Sequence, residues 1–430
     1  MAIRQIRTAP GLPPQAARDT SDTVQIMLAR IRAGGEDAAR DYARRLDGWE
    51  GAVVVPPEAI ARAIRAVPDA LKADIGYAHD NIRRFAEAQR ATLTEMEVEL
   101  RPGLYAGQRV IPVGSVGAYV PGGRYAHIAS ALMTIATARA AGVAHITACS
   151  PPRGADGIPA PILYAMHLAG ADRILCMGGV QGVAAMAFGL FGARPADILV
   201  GPGNAFVAEA KRQLFGPVGI DMVAGPTDSL ILADDSADAL TVAWDLVGQA
   251  EHGANSPVWL ATSDAGLAQA VQAHIPACID ALPEPNRTAA RDAWDALGEI
   301  WLCDTPGDMA QQADDLAPEH LHVQARDLDW WKGRLRNYGS LFLGANTTVP
   351  FGDKAAGPNH VLPTGGAARH TGGLSVLKYL KTVTWQRVGE AALPDLARVS
   401  ASISRHEGME GHARSAEMRL SGPAPLKAVG

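Results

Sequence analysis

Short apolar runs, each closed by Gly, Pro, Ser or Asp, constrain this chain more than any other feature. From about residue 109 they follow one another as VIPVGSVGAYV, HITACS, RILCM, DILVG, SLILAD and VWLATS. Runs of this length that stay apolar throughout suit strands buried on both faces. Ala-rich helical stretches such as ALMTIATARAAGV and PAPILYAMHLAG lie between several of them. Buried strands alternating with helices predict a parallel α/β sheet. The texture recurs after residue 256 in VWLATS, EIWLCD, HLHVQA and GSLFLG. Two Rossmann-like α/β domains are therefore expected, over 109–235 and 236–374. A helical segment at 1–108 precedes them and a helical segment at 375–430 follows. Residues 19–47 and 57–93 carry amphipathic helical spacing, and PPEAI places Pro at a helix start, where its missing N–H costs nothing.

Composition narrows the partners. The 430 residues are 48% hydrophobic and 20% charged, as in a globular chain of two ordinary domains. A net charge of −6 speaks against nucleic acid or an anionic membrane as the partner. No apolar run reaches the roughly 20 residues a membrane span needs, and MAIRQIRTAPGLPP lacks the apolar core of a secretion signal. Cys149, Cys176, Cys278 and Cys303 are far apart and form no CxxC. They read as small buried hydrophobes in a reducing, cytoplasmic compartment.

Chemistry must then come from His, Asp, Glu and Gln. In GQAEHGANS, Gln249 and His252 are three apart on one helix face, a spacing that suits two ligands of one metal or a hydrogen-bonded cap. In APEHLHVQ, adjacent Glu319 and His320 can divide two tasks, proton abstraction by imidazole and water activation by carboxylate, or form a solvated loop pair. His322, on the same strand-like run, reads as structural. The stretch TTVPFGDKAAGPNHVLPTGG surrounds Asp353 and His360 with seven Gly and Pro residues. Such a loop would hold Asp353 as a hard oxygen ligand with little mobility. Glu407 and His412 lie in RHEGMEGHARSAE. GPGNAFVAEAKRQ follows a strand and precedes a helix, as a phosphate loop does, but Phe206 replaces the third Gly of the dinucleotide fingerprint.

In combination, GAYVPGG, GPGNAFVAEAKRQ, GQAEHG, APEHL, GDKAAGPNHVLPT and EGMEGH resemble the histidinol dehydrogenase family over nearly the whole chain. The resemblance implies a zinc-dependent, NAD-linked homodimer that oxidises a primary alcohol to a carboxylate in two steps. Carried over, Gln249, His252, Asp353 and His412 match zinc ligands, with His412 reaching the partner's site. Glu319 and His320 match the catalytic pair, and His360 and Glu407 match substrate contacts. Tyr119, Gln181 and Asn204 match NAD contacts.

The match departs from histidinol oxidation at the substrate. Thr348-Val349 stand where the family carries Pro-Glu, so a carboxylate suited to an amino alcohol is missing. Thr227 replaces the usual Ser. Arg124 follows PGG directly, and His127 and His370 add basic groups. An anionic substrate follows from this balance, and guanidinium suits a sulfonate or carboxylate. PGGRY and TGGLxVxKxLKT resemble the family's sulfopropanediol dehydrogenase branch, which implies 2,3-dihydroxypropane-1-sulfonate as substrate. Arg124, His127 and Thr227 are the candidate contacts. Histidinol oxidation and a non-catalytic metal-binding homologue are the competing readings.

Overall fold

A computed structural model describes residues 3–11, 18–122 and 127–421. Two compact units divide the chain, one of Met1–Arg90 and Val113–Tyr379, the other of Ala91–Pro112 and Leu380–Gly430.

The first unit holds two sheets whose strands are the apolar runs. One sheet orders its strands Arg173–Cys176, His145–Ser150, Ser115–Tyr119, Ile198–Val200, Gly219–Ile220, all parallel. In chain order this is 3-2-1-4-5, the doubly wound arrangement. The second sheet repeats it with Glu299–Cys303, Val258–Thr262, Ser229–Ala233, His320–Gln324 and Ser340–Leu343. To its edge Ile3–Arg7 adds an antiparallel strand against Glu299–Cys303. Both sheets are covered by Ala-rich helices, because small side chains let a helix sit close against a sheet. Ile128–Ala141 is the extreme case, mostly Ala and other apolar residues and buried at nearly every position.

The N-terminal segment, expected to be helical, also contributes a strand. It begins with the edge strand of the second sheet, and its helix Arg18–Tyr42 packs Val24, Met27 and Ile31 into the core of the first. The expected helix at 57–93 is two helices, Pro57–Ala66 and Asp69–Ala91, broken where Pro68 follows Val67. Pro57 opens the first of them, as PPEAI implied. All four cysteines are buried and unpaired, and among the described residues no helix is long and apolar enough to cross a membrane.

The second unit pairs Leu104–Pro112 with Met96–Arg101 on one side and Leu380–Val388 on the other, both antiparallel. Helices Leu393–His406 and Glu410–Glu417 follow. The expected helical tail thus opens on a strand, and the expected boundary at 109 falls inside one. Met96–Arg101 hides no face, all six residues being exposed, so it lacks the apolar signature that marked the other strands.

One motif is explained by a buried ion pair. Lys211 and Asp221 form a salt bridge with side chains 3% and 0% exposed. Lys211 also donates to the carbonyl of Gly201 at 3.0 Å, and Asp221 accepts from the Gly201 amide at 2.7 Å. Gly201 takes φ 109°, and a β-carbon there would stand 2.1 Å from the carbonyl oxygen of Tyr119. Only glycine fits, and the ion pair fixes the GPGN turn from beneath. Lys211→Met leaves Asp221 charged and buried, and is expected to cost about 3–5 kcal/mol in a urea unfolding titration. A change below about 1 kcal/mol would remove the ion pair from this role.

Candidate active site

The first sheet uses the carboxyl ends of its strands, where open α/β sheets take their ligands. There a cleft of about 1000 Å³ is lined by Asp47, Tyr119, Gln181, Pro202 and Asn204 among others. Tyr119 accepts the Gly179 amide on its hydroxyl at 3.1 Å. Asp47 Oδ2 accepts the Gly178 amide and Gln181 Nε2, each at 2.9 Å. Asn204 caps helix Ala205–Leu214 by accepting from Phe206 and Val207. Gln181 is buried, and its Oε1 has no partner among the described residues. A cleft of this size with an unmet acceptor in its wall fits a dinucleotide.

The second sheet departs from that rule. Its chemistry-bearing residues sit at the amino ends of the strands, where His320 is in register with Ser229 and Ser340. A cavity of about 690 Å³ opens there, lined by Thr227, Gln249, His252, Glu319, His320, Asp353 and His360. His127 and Pro202 belong to the walls of both cavities, so the cleft and the chamber meet.

Asp228, just before Ser229–Ala233, organises the pair. Its carboxylate accepts the Glu319 amide at 2.6 Å and the Gly365 amide at 3.1 Å. Its carbonyl accepts from the His320 amide and ring Nδ1, both at 3.2 Å. With Nδ1 donating, Nε2 is the nitrogen left to gain or lose a proton, and it is buried without a hydrogen-bond partner, 3.6 Å from Asp353 Oδ1. Glu319 Oε2 accepts the Thr227 hydroxyl at 2.5 Å and stands 3.7 Å from His320 Nδ1.

Burial pushes the Glu319 carboxyl up to about 7, against the lowering pull of His320 and the Thr227 hydrogen bond. Burial pushes His320 down, but Glu319 and Asp353 outweigh it and raise the imidazole to about 9. Burial also opposes ionisation of Asp353, yet the close approach and charge of His320 hold it well below the usual carboxylate range.

Gln249 ends helix Ala239–Ala250, and His252 lies just beyond, its amide donating to the Gln249 carbonyl at 3.3 Å. Asp353 sits on a short helix, Val349–Lys354, where a rigid loop was expected. That helix is tied to Gln249's helix by Asp245, which accepts Thr348 Oγ1 at 2.8 Å and Gln324 Nε2 at 2.7 Å. Among the described residues no three His, Cys, Asp or Glu side chains form a metal-holding group. Gln249 is outside that set, however, and its buried Oε1 has no partner while lining the same chamber as His252 and Asp353. An amide oxygen, an imidazole and a carboxylate around an unmet acceptor fit zinc with positions left open.

Several expected contacts come out differently. Thr227, a candidate substrate contact, donates its hydroxyl to Glu319. His360 uses both ring nitrogens, Nδ1 toward the Asp353 carbonyl at 2.8 Å and Nε2 toward Ser130 Oγ at 3.1 Å, so a substrate contact would have to displace Ser130. His127 lines the chamber, but burial, then His360 and Lys354, push it down to about 4, which leaves it uncharged. Val349 is buried at 3% exposure, and Pro350 is the wall residue. His370 is exposed. Arg124 lies outside the described residues. Glu407 and His412 are exposed residues of the second unit.

The histidinol dehydrogenase family model matches residues 13–420. The chain belongs to the histidinol dehydrogenase family. It is 71% identical to a histidinol dehydrogenase homolog of Ruegeria pomeroyi, over the full length of both. It is 58% identical to the sulfopropanediol 3-dehydrogenase of the same organism, covering 98% of this chain and 97% of the relative. The solved structure of histidinol dehydrogenase from Elizabethkingia anophelis superposes with a TM-score of 0.90 at 31% identity, covering 96% of this chain and 94% of that one.

Proposed function

We propose that this chain is a zinc-dependent, NAD-linked dehydrogenase that takes a primary alcohol through an aldehyde to a carboxylate. Its substrate is 2,3-dihydroxypropane-1-sulfonate and its product sulfolactate. One observation carries the reading: a buried imidazole with a free nitrogen, beside a buried carboxylate, in a chamber that meets a dinucleotide-sized cleft. The 58% identity to a sulfopropanediol 3-dehydrogenase supports the substrate.

Gln249, His252 and Asp353 would hold zinc, with His412 from a second copy as the fourth ligand. Exposed Val399, Ile403, Met409 and Met418 on the second unit support such a dimer. When bound, zinc supplies a Lewis acid for the alcohol oxygen, and NAD supplies the hydride acceptor, two per alcohol oxidised. His320 Nε2 takes the hydroxyl proton in the first oxidation, its ring held by the Nδ1 bond to Asp228. Glu319 takes a proton from the water that adds to the aldehyde carbon, and Thr227 keeps its carboxylate aimed.

Zinc-loaded protein is expected to reduce NAD with the sulfonate diol and not with histidinol. Rapid turnover of histidinol with none of the sulfonate would replace this substrate. Both bases work unprotonated, so kcat should rise with pH through neutrality. Raised values for Glu319 and His320 place the ascending limb no higher than about 9. A rate that falls across pH 7–9 would contradict the assignment.

A further inference from the structure

Lys354 ends the short helix that carries Asp353 and lines the catalytic chamber. It is the only Lys or Arg among the described residues of that wall. Its side chain, 65% exposed, belongs to that wall, and its charge bears on Asp353, His127, His252 and His360 alike. It is only loosely paired. Among the described residues it makes no hydrogen bond, and its nearest carboxylate oxygen, Asp353 Oδ2, is 4.0 Å away. That carboxylate is shared with His320, whose Nε2 is 3.6 Å from Oδ1, and in the reading above it turns to zinc. The wall otherwise carries Asp74, Glu251, Glu319 and Asp353, which would repel an anion unless a fixed cation met it.

We propose that Lys354 binds the anionic head of the substrate, holding a sulfonate or carboxylate while the alcohol end reaches His320 and Glu319. The inference rests on reading the chamber as an alcohol-oxidising site. Asp353 Oδ1 is 3.6 Å from His320 Nε2 and its Oδ2 is 4.0 Å from Lys354 Nζ, so base and ammonium lie close enough for a short anionic diol to span. An ammonium on a flexible stem makes charge-assisted hydrogen bonds to such a head group.

The test uses zinc-loaded full-length protein and unreactive propane-1-sulfonate, measured by titration calorimetry. Lys354→Gln is expected to weaken binding about 10-fold or more, and Lys354→Arg to keep most of it. In turnover, Lys354→Gln should raise KM for 2,3-dihydroxypropane-1-sulfonate in the same proportion with a much smaller change in kcat. The preference for that diol over neutral propane-1,2-diol should fall. Wild-type KM for the sulfonate should also climb with ionic strength, a measurement that stands even if the Gln variant misfolds. Equal affinity of wild type and Lys354→Gln overturns the proposal, as does wild type with no affinity for propane-1-sulfonate. Sulfonate oxidation with an unchanged KM in the variant sinks Lys354 alone. Oxidation of histidinol in place of either diol sinks the substrate reading instead.

Discussion

His320→Ala is expected to lower kcat for the first oxidation by about 10²- to 10⁴-fold, the usual contribution of a positioned base. Its free nitrogen is the buried, unpaired imidazole nitrogen of the chamber that geometry leaves able to take a proton, since both nitrogens of His360 are occupied. The loss should appear in kcat with little change in zinc content, because His320 contacts Asp353 without being one of the groups assigned to the metal. Glu319→Gln separates the two half-reactions. It keeps the size of the side chain but cannot take a proton from water, so aldehyde should accumulate and NADH per alcohol should fall from two toward one. Trapping the aldehyde with a hydrazine reads this directly. If both variants kept the wild-type rate and stoichiometry, the pair would have no part in the chemistry.

Asp353→Asn is expected to weaken zinc binding about 100-fold or more and to abolish oxidation at ordinary metal concentrations. Asparagine preserves volume but removes the charge that the low carboxyl pKa reflects. Metal content after dialysis against a weak chelator, beside a thermal unfolding curve, distinguishes loss of the ligand from loss of the fold. Full zinc occupancy in a folded Asp353→Asn protein would exclude this carboxylate from the metal. Thr348→Val tests the support behind it. Losing the hydroxyl leaves part-buried Asp245 short of a donor, and unfolding should cost about 1–3 kcal/mol less.

The two sheets were legible because most of their strands are short apolar runs, as strands buried on both faces tend to be. The second unit was not, because Met96–Arg101 alternates Met, Val and Leu with Glu and Arg and hides neither face. Asp353's helix was masked by Pro350 and Gly352, which read as loop residues although Pro belongs naturally in a first helical turn. The candidate site was legible chiefly by resemblance. Gln249, His252, Glu319, His320, Asp353 and His360 do line one chamber, but nothing in their spacing brings residue 249 to residue 353. Asp228 escaped notice for a different reason. Its work is to gather amides from Glu319 and Gly365, 91 and 137 positions along the chain, and one carboxylate after a turn carries no mark of that. Lys354 was in plain view beside Asp353, yet only the cavity wall distinguishes it from a solvated lysine.

The link from Thr348 to Asp245 makes the six residues Val349–Lys354 an interchangeable part. The peg at the start of this helix meets a carboxylate on a neighbouring helix, and Asp353 is fixed from the chamber side by His320 and His360. Pro350 lies between those two fastenings and Lys354 just beyond the second, both on the chamber wall. Mutation can therefore refit the surface that greets the substrate's far end while the proton-handling residues, mounted on strand register and on Asp228, stay where they are. One scaffold can in this way drift from one alcohol to another without rebuilding its chemistry.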